Sequence, residues 1–298
     1  MHTSLPKIIV ICGPTASGKT ALALDLAKKF SGEIVVADSR QLFKDMSIGT
    51  NAPTSDEITQ APHHLHNFLS PNKKFNVSEF KVRAEEVIDE ISKRHHLPII
   101  VGGTGLYIKA LVDNFDFTKT PENVTLRTEL AKLSLEQLLE KVDALPESTL
   151  SPTDRKNARR VIRALEIAES GNAKKNTSSP RYHTLQIAPK VEREELYNRI
   201  NARVLRMIQS GLEQEVRSLI EKYSWDAQAM SGIGYREFRP YFEGETTLSE
   251  VIGEIQKDTR RYAKRQLTWF RADKRIHFVA NKKSAEKLVA DFLAATDF

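Results

Sequence analysis

Three short apolar runs in the first hundred or so residues each end abruptly at a polar or glycine-rich turn. Lys7 to Cys12, apolar throughout from Ile8, is of strand length and has the pattern of a strand covered on both faces. Glu33 to Ala37 is a second run, ending at Asp38, and Leu97 to Val101 a third, ending in Gly102, Gly103 and Thr104. Between the runs the period changes. Leu22, Leu26 and Phe30 recur at helical spacing across Ala21 to Phe30, and Asn76 followed three residues later by Glu79 marks a capping box opening a helix that reaches about His95. Strands alternating with helices predict an α/β chain with a parallel, doubly wound sheet, which binds ligands beyond the C-terminal ends of its strands.

After Val112 the alternation stops. Asp113 to Pro121 is polar, and Leu126 to Leu145 and Arg155 to Ala168 are helical segments with no strand between them, so residues 113–186 are expected to form a small all-helical insertion. Gly171 to Pro180 reads as a flexible return connection and Thr184 to Ala188 as a strand rejoining the sheet. Residues 1–112 and 187–298 then make the core. The second of these segments carries a long helix from Glu192 to Ser210 and another from Leu248 to about Arg271, capped by Thr247 with Glu250. Arg275 to Val279 reads as a last strand.

Composition narrows the class. Of 298 residues, 40% are apolar and 28% charged, the balance of a globular protein rather than a disordered or collagen-like one. No apolar stretch is long enough for a membrane span, and Met1 to Pro6 lacks the basic and apolar regions of a secretory signal, so a cytoplasmic enzyme without membrane contact is expected. The single cysteine, Cys12, has no partner for an internal disulfide and lies in an apolar run, where it reads as a small buried side chain. A net charge of +6 and a pI near 9.2 favour a polyanionic partner. The run Pro62-His63-His64-Leu65-His66 invites a metal reading, but no second Cys or His cluster stands at zinc-like spacing.

The strongest chemical signal is Gly13-Pro14-Thr15-Ala16-Ser17-Gly18-Lys19-Thr20, a complete P-loop between a predicted strand and a predicted helix. Its glycines let backbone N–H groups close on phosphate oxygens, Lys19 adds a point charge, and the Thr20 hydroxyl can hold Mg²⁺. A nucleoside triphosphate and a prenyl diphosphate present similar oxygens, so the loop alone does not choose between ATP and a prenyl donor. Asp38 stands where a strand delivers a carboxylate to the ligand edge; it could hold Mg²⁺ or accept a proton from an attacking amine or hydroxyl. The fold class is therefore α/β, a P-loop NTPase-like parallel sheet flanked by helices.

Five motifs in order, Gly13 to Thr20, Ala37 to Gln41, Val101 to Tyr107, Gly234-Tyr235-Arg236 and Lys264 to Arg271, resemble those of the tRNA dimethylallyltransferases, in their compact bacterial form. The resemblance implies transfer of a dimethylallyl group from dimethylallyl diphosphate to N6 of the adenosine 3′ of the anticodon, position 37, releasing pyrophosphate. It implies that the P-loop grips the diphosphate, that Asp38 accepts a proton or a hydrogen bond from N6, and that Thr15 and Arg203 donate to diphosphate oxygens. By the same resemblance Ser39, Arg40, Gln41 and Thr104 touch RNA beside the active site, although Arg40 and Gln41 stand where relatives vary. Arg127 from the insertion, Arg159, Arg160, Val161, Ile162 and Arg163 from its second helix, and Gly234, Tyr235 and Arg236 complete the expected tRNA contacts. The partners implied are an anticodon stem-loop and dimethylallyl diphosphate, with Mg²⁺ as cofactor and a monomeric chain.

Charge distribution fits a nucleic-acid partner. From Arg260 to Arg275 the chain carries seven Lys or Arg residues (260, 261, 264, 265, 271, 274 and 275) interleaved with Tyr262, Trp269 and Phe270. Cations bind phosphates and aromatic faces stack on unpaired bases, but Leu267 and Phe270 at helical spacing read as core. Competing readings are a P-loop kinase, a prenyltransferase acting on free adenine nucleotides, and an RNA-binding nucleotide switch without chemistry.

Overall fold

The computed structural model describes residues 5–117, 122–145, 150–151, 154–170 and 179–295. Six strands form one all-parallel sheet in the order β3-β2-β4-β1-β5-β6. They are β1 (Lys7–Cys12), β2 (Gly32–Val36), β3 (His63–His64), β4 (Leu97–Gly102), β5 (His183–Pro189) and β6 (Ile276–Val279). The continuous apolar run of β1 has its predicted consequence: Ile8, Val10 and Cys12 join the core on one face, and Ile9 and Ile11 the core on the other. Helix Val77–Lys93 covers the first face with Phe80, Ala84, Ile88 and Ile91, spaced by three or four residues. Helices Lys19–Lys29 and Lys282–Ala294 cover the second with Leu22, Leu26, Ala285 and Val289. Each fully buried large side chain contributes roughly 1.5–3 kcal/mol, so one helix face outweighs the ~1 kcal/mol of its cap.

Both capping boxes read from the sequence are present, at Asn76/Glu79 and Thr247/Glu250. A third, at Ser134/Gln137, splits the expected helix Leu126–Leu145 into Val124–Leu130 and Leu135–Asp143, because the Ser134 side chain accepts from Gln137 N–H and starts a new helix. The strand β3 is only two residues long, too short to show a period. Helices Leu212–Lys222 and Lys282–Ala294 were absent from the sequence reading, although Leu212, Val216 and Leu219 follow the buried period. A third core, built from Phe43, Met46, Val204, Val216, Tyr235, Phe238 and Val251, joins the helices that follow β5 to the loop after β2.

Two compact units emerge: residues Met1–Asn114 with Ser179–Phe298, and Phe115–Ser178. The insertion is narrower than the expected 113–186. Residues 183–186 are paired to β1 as part of β5, and His183 N–H donates to the Pro6 carbonyl, so this stretch belongs to the sheet. The expected return connection, Gly171 to Pro180, lies mostly outside the described residues. The smaller unit has its own core of Leu130, Leu138, Val142 and Val161. Among the described residues no helix is long and apolar enough to cross a membrane.

Candidate active site

The P-loop leaves the end of β1 and turns directly into helix Lys19–Lys29, whose N-cap Gly18 has φ 91°, a left-handed conformation that suits glycine. Inside the turn Lys19 Nζ donates to the Pro14 carbonyl (2.6 Å), and Ser17 Oγ is buried with no hydrogen-bond partner among the described residues. Arg203, from helix Arg193–Gln209, donates from Nη1 to Thr15 Oγ1 (2.9 Å) and from Nε to Asn51 Oδ1 (3.1 Å). Two half-buried cations thus stand together. Burial, with Arg203 nearby and only partly offset by Asp38, pushes the Lys19 ammonium down to about 8. Arg203 is lowered by burial too, with Asp38 opposing. The structure brings Thr15, Ser17, Lys19 and Arg203 together, half-buried positive charge beside an unpartnered hydroxyl, a combination that can take an anion.

A cavity of about 220 Å³ opens behind the loop, between the ends of β5 and β6, lined among others by Ser17, Gly18, Pro189, Val191, Arg199 and Asn281. Thr20 faces a smaller space of about 20 Å³ shared with Gln41, Asn51, Glu57 and His63. Among the described residues no group of three or more His, Cys, Asp or Glu could hold a metal. The Thr20 hydroxyl would suit Mg²⁺ as one ligand, with phosphate oxygens and water supplying the rest of its shell, the way this hard, reluctantly dehydrated ion usually binds. The His-rich run makes other contacts: His63 Nδ1 pairs with the Ala61 carbonyl (2.8 Å) and His64 Nε2 with Glu33 (2.7 Å).

Asp38 follows β2, beyond Ala37, whose N–H donates to the Val101 carbonyl (2.7 Å). It is half-buried, and its Oδ1 accepts from Arg40 N–H (2.9 Å) in a local turn that fixes the carboxylate. Thr104 holds the same segment from the neighbouring strand end: its Oγ1 accepts from Ser39 N–H (3.0 Å) and donates to Ser39 Oγ (3.3 Å). Tyr262 and Tyr107 stand near Asp38, and burial with its negative charge raises both phenols, Tyr262 to about 12. Arg40 reaches away from the carboxylate to Gln228 O (3.0 Å) and Ser231 Oγ (3.3 Å), and Gln41 Nε2 donates to Asn51 O (2.9 Å). Both side chains are anchors of the loop after β2.

Several expected RNA contacts have other work. Val161 is fully buried in the core of the smaller unit, so its side chain is no RNA contact, and Ile162 packs at the edge of that core. Arg127 donates to Glu166 from Nε (3.1 Å) and Nη2 (2.8 Å), and Arg163 pairs with the same carboxylate. Burial alone would raise Glu166, but Arg127, Arg163 and Asn123 N–H together hold it down at about 2. Arg160 pairs with Asp154, while Arg159 is exposed with no ion pair among the described residues. Tyr235, expected to touch RNA, is 1% exposed; its hydroxyl donates to Glu215 (2.7 Å), which also accepts from the N–H groups of Ile48 and Gly49. Gly234 N–H donates to Glu237, and Arg236 is paired with Glu237 and Asp258.

On helix Leu248–Ala272, Lys264 and Arg271 are exposed, seven residues apart on one face, and with Arg265 and Lys274 they carry no salt bridge among the described residues. Arg260 is bonded to Asn201, Arg261 to Asp258, and Arg275 to Asp273 and Asp113. Phe270 is buried as expected, and Trp269 is 43% exposed. Gln266, Glu166 and Glu215 also make bonds that hold these segments, and none of them is among the expected site residues. For Gln266 a signal existed, because it falls on the buried stripe Ala263, Gln266, Phe270 where an apolar residue belongs. The two glutamates carried none.

A family model described as "IPP transferase" matches residues 41–273, and one described as "Isopentenyl transferase" matches residues 6–72. A tRNA dimethylallyltransferase of Carboxydothermus hydrogenoformans is 42% identical over 95% of this chain and 94% of its own length, and one of Lactococcus lactis is 44% identical over 91% and 92%. The crystal structure of a tRNA isopentenylpyrophosphate transferase from Bacillus halodurans superposes with TM-score 0.75 at 36% identity, covering 96% of each chain. A eukaryotic dimethylallyltransferase solved while acting on tRNA gives TM-score 0.76 at 30% identity, over 89% of this chain and 69% of that one. A phosphate loop with half-buried cations that carry no salt bridge among the described residues, a fixed carboxylate two strands over at the same end of the sheet and relatives of this extent lead to one assignment: the chain belongs to the IPP transferase family, the family of the tRNA dimethylallyltransferases.

Proposed function

We propose that this enzyme transfers the dimethylallyl group of dimethylallyl diphosphate to N6 of the adenosine at position 37 of tRNA. The carrying observation is the pairing of an anion cradle, Thr15, Lys19 and Arg203, with the half-buried Asp38, two strands over across β4 at the same C-terminal end of the sheet. N6 attacks the allylic carbon, the carbon–oxygen bond to the diphosphate breaks, pyrophosphate leaves with the bonding pair, and the N6 proton passes to Asp38. Lys19 and Arg203 lie where negative charge grows on the leaving group, and fixed charges in a dry site stabilise it without reorganisation. Mg²⁺, held through Thr20 and the diphosphate oxygens, would add Lewis-acid stabilisation of the same charge. The adenine must leave its stack to meet Asp38, as for other enzymes that act on a base. Lys264, Arg265, Arg271 and Lys274, which carry no salt bridge among the described residues, supply a phosphate-binding surface.

Asp38→Asn separates this reading from a nucleotide switch that only binds RNA. Transfer should fall by roughly 10²–10⁴, the range for a general base, with tRNA affinity within a few-fold. Unchanged transfer would remove Asp38 from the chemistry, and lost affinity with normal turnover at saturating tRNA would make it a binding residue only.

A further inference from the structure

Gln266 is 5% exposed on the buried stripe of helix Leu248–Ala272, the helix that also carries Lys264, Arg265 and Arg271. Its amide is hydrogen-bonded at both ends. Oε1 accepts from the N–H of Thr15 in the P-loop (2.9 Å), and Nε2 donates to the carbonyl of Gly103 at the end of β4 (2.8 Å). Gly103 packs so closely that a Cβ there would lie 2.3 Å from Nε2. The next residue, Thr104, holds Ser39 N–H and thereby the backbone that presents Asp38. A short chain of bonds thus runs from donor cradle to base: Thr15, Gln266, Gly103, Thr104, Ser39, Asp38. One turn further along the helix, Trp269 packs against Gly105, where a Cβ would meet its Nε1 at 2.3 Å, so the helix and this turn fit each other at two successive points.

We propose that Gln266 is a positioning residue for the transfer reaction. It fixes the P-loop and the Gly103–Thr104 turn in one register, so that the leaving diphosphate and the carboxylate of Asp38 are set at reacting distance. The inference rests on the reading that the P-loop holds the donor diphosphate and Asp38 takes the proton. A primary amide suits the task because it donates and accepts at once while carrying no charge beside a diphosphate. A carboxylate could accept from Thr15 but would face the Gly103 carbonyl and repel the donor; a methionine of similar length would leave both backbone groups unpaired in a buried place.

The test is a kinetic cycle on the full chain with dimethylallyl diphosphate, Mg²⁺ and an anticodon stem-loop, using Gln266→Met, Gly103→Ala and the double variant, with thermal melting to show that each is folded. Misplacement of reacting groups costs up to about 10²-fold, so kcat should fall roughly 10–100-fold in Gln266→Met while the Kd for stem-loop alone stays within about threefold. Gly103→Ala displaces the same amide, so the double variant should be no slower than the slower single one. Gln266→Glu should instead raise KM for the donor. Unchanged kcat in a folded Gln266→Met, or losses that multiply in the double variant, would overturn the proposal. Lys19→Ala is run alongside. If it leaves donor affinity intact, the P-loop reading fails and the proposal with it; if it abolishes donor binding while Gln266→Met and Gly103→Ala turn over normally, only the proposal fails.

Discussion

The P-loop end of the sheet and the helical insertion are both rich in cations, but they differ in what those cations touch. In the insertion, Arg127 and Arg163 share the buried carboxylate of Glu166, and Arg160 is paired with Asp154. At the P-loop, the half-buried Lys19 and Arg203 have hydroxyl, amide and carbonyl oxygens as their bonding partners and no salt bridge among the described residues. One set of charges is balanced by carboxylates within a small domain; the other has only neutral oxygens as partners, and on the proposed function it takes the diphosphate. Counting arginines along a helix does not separate these cases, because the separating residue is a distant or buried carboxylate.

Breaking the P-loop set should cost most. Lys19→Met removes a donor aimed at the leaving group and should lower kcat/KM for the prenyl donor by about 10²–10³, measured by initial rates at fixed stem-loop. The balanced set should respond in stability. Glu166→Gln leaves Arg127 and Arg163 without their shared anion, and because both arginines are about one-third exposed the expected loss is roughly 2 kcal/mol, below the cost for fully buried pairs. Hydrogen exchange confined to residues of the smaller unit would register it, with transfer rate at saturating tRNA changing little; a large fall in that rate with normal exchange would contradict the comparison. Between Arg159 and Arg160, alanine at Arg159, which has no ion pair among the described residues, should weaken tRNA binding more, by a few-fold at low salt, with a shallower salt slope.

A pH titration sharpens the same contrast. Lys19 in the free enzyme is held down to about 8, so it is charged below that pH and loses its proton above it. Donor affinity should therefore fall as pH rises through 8, and a flat profile from 7 to 10 would argue against Lys19 as the diphosphate's partner. Glu33, at the opposite end of the sheet, shows the balanced case. Burial would raise it, but bonds from Arg94, His64 and His96 outweigh that and hold it at about 2. Its folded value lies below the unfolded one, so its contribution is present above about 4.5 and lost as pH falls toward 2. With Arg94 and His96 nearly half exposed, that contribution is about 1–2 kcal/mol, read as the difference in acid stability between wild type and Glu33→Gln.

Local signals were legible in the sequence and non-local ones were not. The P-loop, β1, β2 and β4 and the caps at Asn76 and Thr247 depend on residues within a turn or strand of one another. Tyr235 looked like a loop residue because the groups that bury it, Phe43, Met46, Val216 and Phe238, come from separate segments that meet only in the fold. Glu166 lies inside an arginine-rich helix, and nothing in its neighbours' spacing announces that Arg127, 39 residues away, will close on it. Gln266 was visible as a polar residue on an apolar stripe, but its two partners, Thr15 and Gly103, lie 251 and 163 residues away.

The most direct test of the transfer chemistry is to incubate the enzyme with labelled dimethylallyl diphosphate, Mg²⁺ and either an anticodon stem-loop carrying adenine at position 37 or free AMP, and to count label in each acceptor. Label in the stem-loop, at N6 of that adenosine and absent from AMP, is the predicted result. Label in AMP alone, or in neither acceptor, would contradict an RNA-directed prenyl transfer.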